Sequence, residues 1–160
     1  MAVIKYPQEI KVGVSPKRMF KAMVTESYTI LPKIMPVAIK SIELLHGDGG
    51  AGTIRQTNFP DGAPFPYVKH RIDALDTENY VSKYTLIEGA VLGDKLESVY
   101  YEAKFEDSGD GGCIVKITSE YHTKGDAEIK EEDIKAGKDQ ATAFYTIAEE
   151  YLLAHPHVCA

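Results

Sequence analysis

The last part of the chain has the hydrophobic spacing of one long amphipathic helix. Between Glu131 and Ala154, apolar and aromatic residues recur at steps of three, four and seven, which is one face of a 3.6-residue period. These residues are Ile134, Ala141, Phe144, Tyr145, Ala148, Tyr151 and Leu152. Acidic residues crowd the first turn and Pro156 ends the helix. At 1.5 Å per residue the helix is roughly 36 Å long, so its apolar stripe needs a broad partner surface.

The middle of the chain alternates with a period of two and carries regular turn signals, as antiparallel strands do. Six successive strands are predicted at 39–46, 53–59, 65–75, 79–88, 95–106 and 113–123. A seventh, at 3–11, contains Pro7, which marks an edge or bulged strand because proline cannot donate a ladder hydrogen bond.

Two short helices precede the six strands. Ser15 and Pro16 predict the start of the first, as N-cap and first helical residue. Two prolines bracket the second, around Ile30 to Met35. The order of elements predicts a single α+β domain spanning 1–160, in which a seven-stranded antiparallel sheet wraps around the long C-terminal helix.

Composition limits the functions open to this fold. The net charge of −6 disfavours a nucleic-acid partner, because phosphate binding needs clustered Lys and Arg. No apolar run reaches the roughly 18 residues of a membrane span, and the N-terminus lacks a signal-peptide pattern. Cys113 and Cys159 are too few for a disulfide framework, and the histidines lack the spacing of a metal site. We therefore expect a monomeric cytoplasmic protein without membrane contact, metal or cofactor.

Aromatic side chains with hydroxyl groups point towards the predicted interior. In the strand at 95–106, the apolar face is Val99, Tyr101, Ala103 and Phe105. Ser82 and Tyr84 share one face of their own strand. A buried tyrosine hydroxyl needs a hydrogen-bond partner. Either a solid core that satisfies these hydroxyls internally or a cavity that holds a ligand fits this pattern.

Seven stretches form an ordered pattern along nearly the whole chain. They are Ser15-Pro16 with Met19-Phe20-Lys21-Ala22, GDGGAGTI at 47–54, YVKHRID at 67–73, YTLIEG at 84–89, YHTKGDAEIKEE at 121–132, IKAGK at 134–138 and EEYLLAHP at 149–156. In this order and spacing they resemble the plant pathogenesis-related class-10 proteins, the family of the birch major pollen allergen. The resemblance implies a START-like helix-grip fold, with two short helices in a V and a large cavity between sheet and helix.

The resemblance also implies a function. The cavity would hold a hydrophobic or amphipathic small molecule, such as a flavonoid, cytokinin, brassinosteroid or alkaloid, in a protein linked to defence and stress responses. The candidate ligand-binding residues are Arg55, His70, Ser82, Tyr84, Tyr101, Gly137, Phe144 and Tyr145. His70 could equally be a surface or internally bonded histidine. Gly137, which weakens the helix, either leaves room at the cavity mouth or allows close packing.

Two enzymatic alternatives stay open. Relatives of this fold catalyse alkaloid condensation or isomerisation, which requires an acid–base group in the cavity; His70, Tyr84 and Tyr101 are the candidates. Ribonuclease activity has been claimed within the family. The residues invoked for it map here to the glycine loop, Arg55, Glu97, Glu149 and Tyr151.

Two physical arguments weigh against a ribonuclease. Glu149 and Tyr151 lie roughly 200° apart around a helix, so they cannot face one small site. The chain also lacks a basic track with stacking aromatics. We expect Glu149 to be solvated and Tyr151 to lie in the core.

The glycine loop alone would suggest a phosphate cradle. Its glycines are Gly47, Gly49, Gly50 and Gly52. A nucleotide-binding loop needs a helix after it, whereas a strand follows here. The loop is therefore predicted to be a tight connection between two strands.

Overall fold

The computed structural model describes residues 3–89, 92–93 and 95–160, and one antiparallel sheet dominates it. Its strands are β1 (Val3–Val12), β2 (Ser41–His46), β3 (Ile54–Asn58), β4 (Tyr67–Asp76), β5 (Val81–Gly89), β6 (Leu96–Asp107) and β7 (Cys113–Thr123). They lie in the order β1-β7-β6-β5-β4-β3-β2. The first strand thus pairs with the last, and the others follow chain order. This confirms the predicted seven-stranded sheet.

Irregularities in the strand pairing give the sheet its curvature. The register shifts between Leu44 and His46 in β2, twice within β4, and between Leu96 and Ser98 in β6. Such bulges bend a strand and increase its twist, which lets the sheet curl around a helix. Pro7 lies in β1 at the edge of the sheet, as predicted.

The described residues also form three α-helices: α1 (Pro16–Phe20), α2 (Ser27–Ile34) and α3 (Glu131–Ala154). A π-helical turn, Lys21–Thr25, follows α1. The Ser15 side chain accepts a hydrogen bond from the Arg18 backbone N–H, which confirms the predicted cap. The second helix begins earlier than predicted, at Ser27, and contains Pro32, which also lies within the predicted range. A proline inside a helix removes one backbone hydrogen bond without necessarily ending the helix.

Helix α3 joins two separate hydrophobic clusters. Its C-terminal half contributes Tyr145, Ala148 and Leu152 to the larger cluster, which also contains residues of α1 and α2. Its first turns contribute Ile134 to a smaller cluster with residues of β4 to β7. The long helix therefore bridges the two clusters, and the stretch between them is free to line a cavity.

Polar contacts hold α3 at its C-terminus and within this stretch. The Arg18 guanidinium donates to the carbonyls of Leu152 at 3.0 Å, His155 at 2.9 Å and Val158 at 2.8 Å. The carbonyls of Leu152 and His155 belong to the last turn and the C-cap of α3, and that of Val158 belongs to the segment after the helix. Further towards the N-terminus, Gln8 Nε2 in β1 donates to the carbonyl of Lys138 at 3.0 Å.

Replacing Arg18 with alanine should destabilise the protein markedly. The substitution leaves the carbonyls of Leu152, His155 and Val158 without their charged donor, at an expected cost of roughly 2 to 3 kcal/mol in the free energy of unfolding. Urea denaturation would measure the change. Lys17→Ala is the matched control, since Lys17 lies exposed on the same short helix. Equal stability of both variants would contradict the capping role of Arg18.

Candidate ligand-binding site

A cavity of about 240 Å³ lies between the middle of α3 and the concave face of the sheet. The helix supplies Gly137, Gln140, Ala141, Phe144 and Tyr145 to one wall. These positions continue the predicted apolar stripe between the two hydrophobic clusters. The opposite wall comes from β2 to β7, and α2 and its flanking segments also contribute to the lining.

The cavity adjoins a more open space, which we call the outer recess. This recess measures about 370 Å³ and is lined by Val37, Ala38, the loop at 59–65 and two residues of α3. Phe59, Phe65, Gln140 and Phe144 line both spaces. The shared lining places the outer recess directly beside the cavity.

A row of polar and aromatic side chains crosses the sheet wall. Arg55 on β3 lies opposite His70 on β4, and Tyr84 on β5 lies opposite Tyr101 on β6. The rings of Tyr84 and Tyr101 are stacked, with centroids 5.0 Å apart and planes at 19°. The His70 ring meets Tyr84 edge-on at 5.5 Å and Tyr101 at 6.2 Å. Cross-strand pairing thus assembles His70, Tyr84 and Tyr101 into one aromatic cluster on the cavity floor.

Within the described part of the chain, two buried nitrogen atoms of this row have no hydrogen-bond partner. They are Nε of Arg55 and Nδ1 of His70. The Arg55 guanidinium does use Nη1, which donates to the Ser27 hydroxyl at 3.0 Å. Buried polar atoms are almost always hydrogen-bonded in folded proteins. The two nitrogen atoms belong to cavity-lining residues but are covered by their neighbours, so a bound molecule could reach them only after these side chains shift.

Burial also controls the protonation of this row. Desolvation, with a smaller effect from the Arg55 charge, lowers the pKa of His70 to about 3. Desolvation raises the pKa of Tyr84, Tyr101 and Tyr145. It lowers the pKa of Arg55, but a guanidinium stays protonated in proteins. At neutral pH the cavity therefore holds one positive charge beside a neutral imidazole and neutral hydroxyls.

Seven of the eight candidate ligand-binding residues line the cavity, and Ser82 does not. Ser82 is buried beside a separate void of about 40 Å³, whose lining includes Arg55, Tyr84 and Tyr145. Those three side chains also line the main cavity and so separate it from Ser82. A side chain that faces the interior does not necessarily line the cavity, because larger side chains can lie between it and the cavity.

Gly137 lies at an exposed position of α3 on the cavity rim. A Cβ atom placed there would meet only the Tyr121 hydroxyl, at 3.8 Å, which is an ordinary van der Waals distance. Close packing therefore does not explain this glycine. The space beside it agrees with the alternative that it leaves room at the cavity mouth.

The residues proposed for ribonuclease chemistry are not assembled around Arg55. Glu97 is exposed at the bulge in β6 and does not line the cavity. Glu149 is half-buried rather than solvated as expected, because its Oε2 accepts a 2.6 Å hydrogen bond from the Gly13 backbone N–H. Tyr151 is half-buried and stacks on His155, with ring centroids 4.1 Å apart. It packs against the core instead of lying inside it.

The glycine loop is closed by its own hydrogen bonds. The backbone N–H groups of Gly49, Gly50 and Gly52 donate to the Thr53 hydroxyl, the Asp48 carboxylate and the Ile72 carbonyl, at 2.9, 3.1 and 2.7 Å. Gly47 has a φ of +93°, and a Cβ there would lie 2.4 Å from Thr53 Oγ1. The loop is thus a tight connection between β2 and β3, and these N–H groups are not open to a phosphate.

Several cavity residues were missed from the sequence. Gln140 and Ala141 follow Gly137 by three and four residues and so lie on the same helix face. The helical period alone could have identified them. Phe59 and Phe65 lie at the two ends of the loop that lines the outer recess. No local sequence pattern distinguishes these two residues from ordinary residues at the ends of strands. Ser27, the hydrogen-bond partner of Arg55, is contributed by a different element and has no sequence signal.

A sheet that curls around a long helix, with a cavity between the two, is the arrangement of a helix-grip protein. The chain matches the model of the Pathogenesis-related protein Bet v 1 family over residues 1–155 and belongs to that family. It is 51% identical to Major allergen Pru av 1 of Prunus avium and 48% identical to Major strawberry allergen Fra a 1-2 of Fragaria ananassa, over 98% of each chain in both cases. The predicted family is confirmed.

Solved structures show the same fold. The crystal structure of Ara h 8.0201 is 34% identical, with a TM-score of 0.84 over 96% of this chain and 100% of that one. Norcoclaurine synthase from Thalictrum flavum, in complex with dopamine and hydroxybenzaldehyde, is 24% identical, with a TM-score of 0.73 over 96% of this chain and 88% of that one. At this identity the second match shows a common fold alone.

Replacing His70 with glutamine should reduce the sensitivity of the protein to acid. The unfolded chain protonates His70 near pH 6.5, whereas the folded protein does so only near pH 3. Between these values the unfolded state binds more protons, so lowering the pH lowers the free energy of unfolding, by up to about 1.4 kcal/mol per pH unit.

Urea denaturation at several pH values, from about pH 4 up to the ordinary imidazole pKa of about 6.5, would measure how steeply the free energy of unfolding changes with pH. The slope should be smaller in His70→Gln than in the original protein. His157→Gln, altered at an exposed position, is the control and should keep the original slope. Identical slopes in His70→Gln and the original protein would show that His70 is not buried in its neutral form.

Replacing Gly137 with alanine should stabilise the protein by up to about 1 kcal/mol, since alanine favours a helix and the space for its methyl group is open. Thermal unfolding would measure the gain. A decrease in stability would mean that the helix needs flexibility at Gly137 or that the methyl group displaces Tyr121.

Proposed function

We propose that the protein binds a ring-bearing amphipathic small molecule in its cavity, as a monomeric cytosolic carrier or buffer. The observation that carries this proposal is the row on the cavity floor, where an aromatic cluster adjoins two buried nitrogen atoms that lack partners. The family resemblance suggests the ligand classes, which are flavonoids, cytokinins, brassinosteroids and alkaloids. It also suggests a link to defence and stress responses.

The cavity walls suit this class of ligand. The aromatic cluster offers ring faces and edges for stacking, and most of the other lining side chains are apolar. The hydroxyls of Tyr84 and Tyr101 have no protein partner in the described part of the chain. Ligand sites usually measure about 300 to 1,000 Å³. The cavity is slightly smaller, so a larger ligand would extend into the outer recess.

A binding role agrees better with this chemistry than either enzymatic alternative. General acid–base catalysis works best with a pKa near the working pH. The pKa of His70 lies near 3, and burial raises the pKa of both cavity tyrosines. The two carboxylates proposed for ribonuclease activity, Glu97 and Glu149, do not line the cavity.

Two further observations support the proposed location. Among residues 3–89, 92–93 and 95–160, none of the helices has the length and apolar character needed to cross a bilayer. Cys113 and Cys159 are both free thiols, as proteins of a reducing compartment commonly have.

Filling the cavity from the helix side should abolish binding. Ala141 lines the cavity, so Ala141→Trp would occupy the space between α3 and the sheet. We expect the affinity for the neutral fluorescent probe N-phenyl-1-naphthylamine to fall by about ten-fold or more, as measured by fluorescence titration. Ala143→Trp places the same side chain at an exposed position of the same helix and should leave the affinity unchanged.

The original protein provides the reference for this comparison. It should bind the probe saturably at micromolar concentrations, and hydrophobic ring compounds should compete. Absence of saturable binding would refute the proposed function. Equal losses in Ala141→Trp and Ala143→Trp would place the probe outside the cavity.

A further inference from the structure

We propose that the cavity selects ligands that carry a negative charge beside an aromatic or fused ring, and that Arg55 binds the anionic group. The ligand class would be ring-bearing carboxylates and chemically equivalent anions such as sulfonates and phenolates. This inference rests on the proposed function and adds the charge and the orientation of the ligand.

The Arg55 guanidinium is a buried charge without a counter-ion. Within the described ranges of the chain, no carboxylate oxygen lies within 4.0 Å of its nitrogen atoms. Its one hydrogen bond goes to the neutral hydroxyl of Ser27, and its Nε is buried without a partner. Buried charges are normally paired, because removal from water strongly disfavours an isolated ion. A ligand anion would supply the missing pair.

No other charge in the cavity competes with Arg55. The described residues that line it include no aspartate, glutamate or lysine. His70 is neutral at physiological pH, since its pKa is lowered to about 3. The cavity is therefore positive inside a chain whose net charge is −6. This positive charge favours the binding of an anion. It disfavours a protonated amine, because the guanidinium would repel the amine and no carboxylate among the described lining residues would pair with it.

Arg55 and His70 lie side by side on the cavity wall, where a single anion could contact both once their side chains shift to expose the two nitrogen atoms. Arg55 and His70 face each other on adjacent strands, and the unpaired atom of each is a ring or guanidinium nitrogen. In the tautomer protonated at Nδ1, His70 donates a hydrogen bond, as Arg55 Nε does. A carboxylate can accept both bonds through its two oxygen atoms, and charge-assisted bonds of this kind are the strong ones.

The surroundings also orient such a ligand. An anionic group at Arg55 leaves the attached ring beside the stacked rings of Tyr84 and Tyr101. The opposite end of the ligand would point to the outer recess, where the lining includes Asp61. A second negative charge at that end would be repelled, so the geometry favours one anionic end directed inward.

Three matched naphthalene compounds separate charge from shape. They are 2-naphthoate, the neutral 2-naphthamide and the cationic 2-(aminomethyl)naphthalene, each titrated calorimetrically at neutral pH into the full chain. We expect the naphthoate to bind about ten-fold or more tightly than the amide, which is the range for one additional charged hydrogen bond. The amine should bind most weakly.

Variants of Arg55 identify the group responsible. In Arg55→Met, which removes the charge at similar length, the ratio of naphthoate to naphthamide affinity should fall to about one. Arg55→Lys keeps the charge and should keep most of the ratio. Arg71→Met is the matched control, because Arg71 lies on the neighbouring strand with its side chain half-exposed and paired with Asp73. It should leave the ratio unchanged.

The possible outcomes distinguish this inference from the proposed function. Binding of all three compounds with equal affinity would overturn the charge selection and leave the binding function intact. Binding of none would overturn both. A preference for naphthoate that persists in Arg55→Met would exclude Arg55 as its origin. The ratio in the original protein needs no variant, so it decides the charge selection even if Arg55→Met fails to fold.

Discussion

The structure depends on a helix that packs into two separate hydrophobic clusters and lines a cavity with the face between them. Ile134 anchors α3 in the smaller hydrophobic cluster, and Tyr145, Ala148 and Leu152 anchor it in the larger one. Arg18 binds the carbonyls at its C-terminus. Because the ends are held, the middle of the helix need not collapse onto the sheet. The cavity is the space that remains.

This arrangement places polar groups where a solid core would exclude them. A solid core would bury apolar side chains opposite Gly137 and Ala141, whereas the sheet presents Arg55, His70 and Tyr101 to the cavity. Two of these residues have buried nitrogen atoms without partners, which costs stability in the empty protein. The two clusters and the helix contacts have to offset that cost. A ligand that satisfies the nitrogen atoms would stabilise the folded state by binding it selectively.

Features with a local cause could be predicted from the sequence. The helical period predicted the bounds of α3 as they stand, and alternation along β6 placed Val99, Tyr101, Ala103 and Phe105 on the inner face. Hydrogen-bond partners from distant segments could not be predicted. Glu149 was expected to be solvated, but it meets Gly13, which is 136 residues away in the chain. Ser82 was assigned to the cavity, but the side chains of Arg55, Tyr84 and Tyr145 separate it from that space.

The strand order limits how early during its synthesis the protein can complete its fold. Val3 in β1 pairs with His122 in β7, so the first strand to leave the ribosome has to wait for the last strand of the sheet. Arg18 likewise waits for Val158, almost at the end of the chain. Contacts this distant in sequence form slowly. The nascent chain therefore cannot complete its sheet or fix its long helix until synthesis is nearly finished, and its N-terminal strand remains an unpaired edge until then.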